Sequence, residues 1–320
     1  MKHSNALEGS EVPGEDARRQ CRELMQQLRV SQTRAAKFIG ISSGTLSAWL
    51  AGDYKGDNAG VERRVRQWLD GEQERADARG RRLVAADFVE TKNAKRALAA
   101  FRHAKHLGDM IAVVGPPGTG KTTAAREFAR DSNNVWVVTM APYTSTLVPA
   151  LNRIASTLEL QPRGSGAAAA ALAIIEAIKD SRGVLILDEA QHLTVDALNG
   201  IRSMYDDAAG VGLVLLGSED LITRVLGGRN LGRTAQLRSR LSVRRTLALP
   251  TREDVKQIAA PFGVVDDESI KYLADIAARP GAFRLVVKCL QLADMMAQAE
   301  DETLSIDYLR DAWENLGGGE

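Results

Sequence analysis

At 320 residues and 34.6 kDa, the chain is about twice the ~150 residues of a typical domain, which predicts one large domain and one small one. A content of 44% hydrophobic and 26% charged residues is that of an ordinary globular protein and excludes a wholly disordered or fibrous chain. The net charge is only +1, from 42 basic and 41 acidic residues, so the total does not single out a polyanionic partner and the distribution must be read instead.

Residues 1–15 are polar, with Gly9, Pro13 and Gly14, and read as a flexible tail. The opening Met-Lys-His-Ser-Asn lacks the apolar core of a signal peptide, so a cytoplasmic protein is expected. A compact helical unit is predicted over 16–70. Within it, Ala36 supplies the small residue at a helix crossing, Gly40 the turn, and Ile39, Ile41, Leu46 and Trp49 a small core, the pattern of a helix-turn-helix. Its second helix offers Ser42, Ser43, Gly44, Thr45 and Ser47 to solvent, with no Arg, Lys, Asn or Gln able to pair bidentately with a base edge. Contacts to DNA phosphates by Arg34, Lys37 and Lys55, with Ser43 and Thr45 beside them, are expected instead, giving affinity with little sequence preference.

The charged stretch over 71–90 reads as a solvated helix extension or a linker. Thr91 to His106 then holds Lys92, Lys95, Arg96, Arg102 and Lys105 and no acid, and Ile222 to Arg252 holds eight arginines and again no acid; either run can present a basic stripe to phosphates. Between them, the apolar runs Met110–Val114, Val135–Met140, Val184–Leu187, Gly212–Leu216 and Val243–Leu249 alternate with helical patterns, which predicts a parallel sheet buried on both faces. The longest apolar stretch, Ala167 to Ile175, stops at Glu176, far short of the ~18 residues of a membrane span. Cys21 and Cys289 have no metal-ligand spacing and are expected to be packing residues. After Pro250 the pattern is helical, with starts near Arg252, Asp267, Gly281 and Ser305.

The most specific motif is Gly115-Pro116-Pro117-Gly118-Thr119-Gly120-Lys121-Thr122, followed by Thr123, between an apolar run and a helix. That is the strand, loop and helix context of a P-loop, in which backbone N–H groups and a helix N-terminus cradle phosphates. Lys121 is placed to neutralise the β- and γ-phosphates of ATP, and Thr122 to ligate Mg²⁺. A second motif ends the run Val184-Leu-Ile-Leu with Asp188 and Glu189. Asp188 is expected to hold Mg²⁺ through water. Glu189 is expected to act as general base toward the water that attacks the γ-phosphate, since a P-loop with an Asp-Glu pair is hydrolytic.

These motifs, the strand series and the helical C-terminus resemble an AAA+ ATPase. The resemblance implies an α/β P-loop fold over 91–250, a helical lid over 251–320, and an all-α helix-turn-helix domain ahead of both. It also implies a polar sensor at Ser218 after the fourth strand, an arginine finger acting on a neighbouring subunit at Arg240 or, second, Arg238, and a lid sensor at Arg284. In the same arrangement the DNA-facing surface takes in Tyr143, Thr144, Thr146 and Arg163. The combination of modules, with Gly52-Asp-Tyr-Lys-Gly-Asp-Asn58, Asp87-Phe-Val-Glu-Thr91, Asn133-Asn-Val-Trp-Val137 and Gly210-Val-Gly-Leu-Val-Leu215, resembles the transposition protein B family of bacteriophage Mu over nearly the whole chain. That implies ATP-dependent, largely nonspecific binding of double-stranded DNA, helical self-assembly on it, and a transposase partner that receives the target DNA and triggers hydrolysis; any residual base preference is expected to follow deformability and favour A·T-rich DNA. A helicase loader and an ATP-switched regulator share some of these modules. The first would carry a helicase-binding segment in place of the helix-turn-helix, and the second a recognition helix equipped to read bases.

Overall fold

The computed structural model describes residues 14–28, 30–84, 88–226 and 231–318. The expected tail over 1–15 lies almost wholly outside them. The described residues form two compact units, one within 1–86 and one within 87–320.

The first unit is all helical: α1 (Glu15–Gln27), α2 (Gln32–Ile39), α3 (Ser43–Ala51) and α4 (Asn58–Val84). Ser31 caps α2 by accepting the Arg34 N–H, and Gly40 ends it at φ 75°, so the chain turns directly into the Ser42 cap of α3. The small residues Ala35 and Ala36 let the helices approach, and Ile39, Leu46, Trp49, Leu50, Val61, Val65 and Trp68 close the core. α2, the turn and α3 thus form the expected helix-turn-helix. α4 continues unbroken through the charged stretch to Val84, so residues 71–84 extend the last helix of the unit.

The second unit begins with α5 (Lys92–Leu107), capped by Thr91. Five strands follow, β1 (Met110–Val114), β2 (Val135–Thr139), β3 (Val184–Asp188), β4 (Gly212–Gly217) and β5 (Leu241–Thr246), in one parallel sheet ordered β2-β3-β4-β1-β5. The sequence reads as continuous apolar runs because β1, β3 and β4 are covered on both faces. Period-two alternation divides them. Ile111, Val113, Val184, Ile186, Val214 and Leu216 pack with α5 and α6 (Lys121–Asp131). Met110, Ala112, Val114, Leu185, Leu187, Leu213 and Leu215 face the opposite layer. That layer is built by α7 (Leu147–Thr157), α8 (Ala167–Ile178), α9 (Val195–Asp207), α10 (Glu219–Leu226) and α11 (Leu231–Arg240).

The expectation of a sheet buried throughout fails at its edges. β2 is mostly half-buried, and β5 begins two residues earlier than expected and is largely exposed, with Arg244 and Arg245 in solvent. An edge strand has a neighbour on one side only, so its side chains need not be apolar on both faces.

The C-terminal helices α12 (Arg252–Ala259), α13 (Asp267–Ala277), α14 (Phe283–Ala299) and α15 (Ile306–Asn315) share a separate core around Leu273, Val286, Leu290 and Leu309. Asp254 joins this lid to the sheet domain. Its buried carboxylate accepts the Lys92 N–H at 2.8 Å and the Thr251 N–H at 2.9 Å and hydroxyl at 2.7 Å. Cys21 and Cys289 are both buried free thiols, and burial pushes each up to about 11. Among the described residues, no helix is long and apolar enough to cross a membrane.

Candidate nucleotide site and DNA-facing residues

The loop from Gly115 to Gly120 leaves β1 and enters α6 without any side-chain cap. The first N–H groups of a helix have no partner within it, so this end carries free donors and the positive end of the helix dipole. Gly118 and Gly120 take φ 80° and 90°, backbone angles that L side chains rarely adopt. Thr119 is buried and its hydroxyl donates to the Pro116 carbonyl at 2.9 Å, locking the loop on itself. Lys121 folds back over the loop and donates to the carbonyls of Gly115 and Pro116, both at 2.8 Å. Pro117 and Thr123 lie exposed at the loop and on the first turn of α6.

Asp188 ends β3, 2% exposed, and accepts the Thr122 hydroxyl at 2.8 Å. The two expected metal-site residues, 66 positions apart in sequence, therefore stand in contact. Burial pushes the Asp188 carboxyl above the usual value; the Thr122 hydrogen bond opposes this, the charge of Glu189 adds to it, and the Glu189 N–H and Lys121 oppose it further. Burial likewise pushes the Lys121 ammonium below the usual lysine value, against the charges of Glu189 and Asp188 and with that of Arg284. Arg284 is thus within electrostatic reach of the loop. It sits on the first turn of α14, where the Phe283 N–H donates to the Gly118 carbonyl at 3.1 Å. The lid and the phosphate loop are in direct backbone contact there, with the buried Ala282 held at φ 42°.

Glu189 follows Asp188 at φ 55°, half-buried, and its carboxylate accepts the Gln191 side-chain amide. Gln191 in turn accepts the Ser218 N–H at 3.2 Å. Ser218 therefore joins the site through its backbone, while its hydroxyl donates to Asp220 at 3.3 Å. Sequence reasoning missed Gln191, although it lies two residues beyond the base in the same motif. It also missed Gly281 and Ala282, which meet the loop from the lid.

Arg240 closes α11, exposed, with its Nε 3.2 Å from Asp206, which also pairs with Arg202; Arg238 is exposed on the same helix. Of the expected DNA-facing residues, Arg34, Lys37, Ser43 and Lys55 are exposed in the first unit. Thr45 is half-buried, its hydroxyl 2.8 Å from that of the Ser42 cap. In the second unit, Tyr143 is 79% exposed and Arg163 is exposed in the loop before α8. Thr144 corrects the expectation: it is 5% exposed, and its hydroxyl accepts the Ala141 N–H at 2.8 Å and donates to the Ala141 carbonyl at 3.0 Å. Its side chain closes a turn and is not free to meet DNA.

The residues fit a nucleoside triphosphate with Mg²⁺. Free helix N–H groups, a lysine over the loop and a hydroxyl paired with a buried carboxylate are the donor and acceptor set that such a substrate and a hard, oxygen-seeking cation require. A family model described as an AAA domain matches residues 104–225, and one described as Mu B transposition protein, C terminal, matches residues 239–316. The "ATP-dependent target DNA activator B" of Escherichia phage Mu is 32% identical over 303 residues, covering 94% of this chain and 95% of that protein. The "Mu-like prophage FluMu DNA transposition protein B" of Haemophilus influenzae is 33% identical over 265 residues, covering 81% and 90% respectively. Among solved structures, the ORC2 protein of Aeropyrum pernix is similar at a TM-score of 0.53 and 19% identity, over 69% of this chain and 65% of that one, a likeness of fold alone. With relatives this similar along almost its whole length, an AAA domain and the Mu B C-terminal domain, the chain belongs to the Mu B transposition protein family.

Proposed function

We propose that this protein is an ATPase that binds double-stranded DNA in its ATP-bound state, assembles on it as a helical filament, presents it to a transposase and stimulates transposition. What carries the reading is the Thr122–Asp188 contact at 2.8 Å beneath the uncapped start of α6, with Glu189 next in the chain. Thr122 and Asp188 are the residues to hold Mg²⁺, which when bound offsets phosphate charge. Lys121 and the α6 N–H groups hold the phosphates, and Glu189 takes the proton of the attacking water. Ser218 and Arg284 complete the surroundings of the phosphates, and Arg240 serves the site of a neighbouring subunit. On the DNA side, the exposed Arg34, Lys37, Lys55, Tyr143 and Arg163 support contacts to the backbone more than to bases. The helix-turn-helix favours this over a sequence-reading regulator, because the solvent side of α3 holds serines and no base-reading side chain.

The test is electron microscopy of the protein with ATP, Mg²⁺ and random-sequence duplex DNA. Filaments are expected for the native protein, persistent filaments for Glu189→Gln, and none for Lys121→Ala. DNA affinity should fall steeply with salt, with a slope of about −0.9 per phosphate neutralised. Residual preference should favour A·T-rich DNA through its deformability. A salt-insensitive complex on a single operator, indifferent to ATP, would refute the proposal.

A further inference from the structure

We propose that Gln191 is the positioning residue of the hydrolytic site: its side-chain amide holds Glu189 in the orientation of a base and ties that orientation to the end of β4. The inference rests on the reading of Glu189 as the base.

Glu189 leaves β3 at φ 55° and the 3₁₀ turn Ala190–His192 follows at once. This fold-back brings the side chain at 191 against the one at 189. Gln191 Nε2 donates to Glu189 Oε2, and Gln191 Oε1 accepts the Ser218 N–H at 3.2 Å. The partners fix which end of the amide is which. An ionised carboxylate only accepts and a backbone N–H only donates, so the bridging group needs a donor and an acceptor on one planar end. A carboxamide meets that need. A carboxylate at 191 would repel Glu189, and an ammonium could not accept from Ser218.

The effect on Glu189 follows from its length. A glutamate side chain loses much rotamer freedom when it is held in one conformation, and a base acts only within hydrogen-bond reach of the proton it takes. With Oε2 held by Gln191, Oε1 is left to accept that proton in a fixed direction. The other end of the bridge is equally defined. Gly217, beside Ser218, accepts the Gly115 N–H at 3.3 Å, so the strand end that carries Gln191 also carries the first residue of the phosphate loop. Gly217 leaves room for the amide: a Cβ there would stand 2.5 Å from Gln191 Oε1. Glu189, Gln191, the β4 terminus and Gly115 are linked by successive hydrogen bonds, so the base and the phosphate loop are held in register through Gln191.

The test uses the full chain with duplex DNA and steady-state ATP hydrolysis. Gln191→Ala should lower kcat by about 10- to 100-fold, the range seen when a supporting hydrogen-bond partner of a reactive group is removed, with KM and nucleotide affinity unchanged. In a Glu189→Gln background the same substitution should change nothing further, because its effect passes through the carboxylate. Gly217→Ala, which crowds the amide from the other side, should lower kcat in the same way without altering residue 191. Wild-type kcat for Gln191→Ala, with Glu189→Gln slow, would overturn the link. An equal fall in both backgrounds would also overturn it, by showing a structural role. Wild-type turnover by Glu189→Gln would remove the base assignment and the proposal with it.

Discussion

Gly118→Ala separates the steric demands of the phosphate loop from those of the nucleotide, because the obstacle is the protein's own lid. A Cβ at this position would stand 1.8 Å from the carbonyl oxygen of Gly281, a backbone atom that cannot rotate away. At φ 80° the alanine also incurs the left-handed penalty of about 1–2 kcal/mol for an L-residue. Relieving the overlap means moving the lid backbone, at the 1–3 kcal/mol typical of overpacking, and loses the Phe283 N–H bond to the Gly118 carbonyl, about 1 kcal/mol more. The total is about 4 kcal/mol. Gly120 is the control, since at φ 90° it shares the conformational penalty but a Cβ there meets nothing within 4 Å. The unfolded-state gain from replacing glycine is common to both and cancels. Thermal unfolding without nucleotide should therefore place Gly118→Ala roughly 5–10 °C below Gly120→Ala, at about 2–4 °C per kcal/mol for a unit of this size. Equal melting temperatures would refute the claim that the lid is seated on the phosphate loop.

Asp254→Ala should cost about 3 kcal/mol, since the Lys92 and Thr251 N–H groups lose their acceptor at a buried joint. Burial pushes the Asp254 carboxyl up, but its accepted hydrogen bonds and Lys92 outweigh this and hold it below the usual value. Its stabilising contribution is therefore present above about pH 4 and lost below, so denaturant titrations of native and variant protein should converge on acidification. Thr144→Val should destabilise by about 1–2 kcal/mol with unchanged DNA affinity in an anisotropy titration, whereas Tyr143→Ala should weaken DNA binding and leave stability intact. Arg240→Ala should bind nucleotide and fail to hydrolyse it, and mixing it with Glu189→Gln should recover activity at interfaces that keep both groups; no recovery at any ratio would exclude an arginine acting across subunits.

Much of the fold was legible because its signals are local. Apolar runs marked β1, β3 and β4 to within a residue, since strands covered on both faces tolerate little else, and the four lid helices begin within two residues of their expected starts. The failures share a cause as well. β5 was expected over Val243–Leu249 and lies two residues earlier, at Leu241–Thr246, where Arg244 and Arg245 face water at the sheet edge. Of the two readings of the charged stretch after Asp70, a helix extension or a linker, the structure takes the first as far as Val84, because a sequence rich in Glu, Gln, Arg and Ala is a good helix former. Thr144 looked available as a polar residue in a loop. Its hydroxyl is used within the loop, as threonine hydroxyls beside a turn often are.

The candidate site divides along the same line. Gly115 to Thr122 and Asp188-Glu189 are short patterns whose chemistry needs adjacent residues, so spacing was enough to find them. Ser218 was expected at the site and Gln191 was not, and their connection depends on strand order, which the sequence does not state. β4 comes after β3 in the chain and lies between β3 and β1 in the sheet. Its C-terminal end is therefore flanked on one side by the residues that follow Asp188 and on the other by the start of the phosphate loop. A strand order that set β3 directly beside β1 would leave the same motifs intact and remove this bridge. The base and the phosphate loop are linked here because a parallel crossover inserts a third strand between them, and the end of that strand, Gly217 and Ser218, has backbone groups to offer to both.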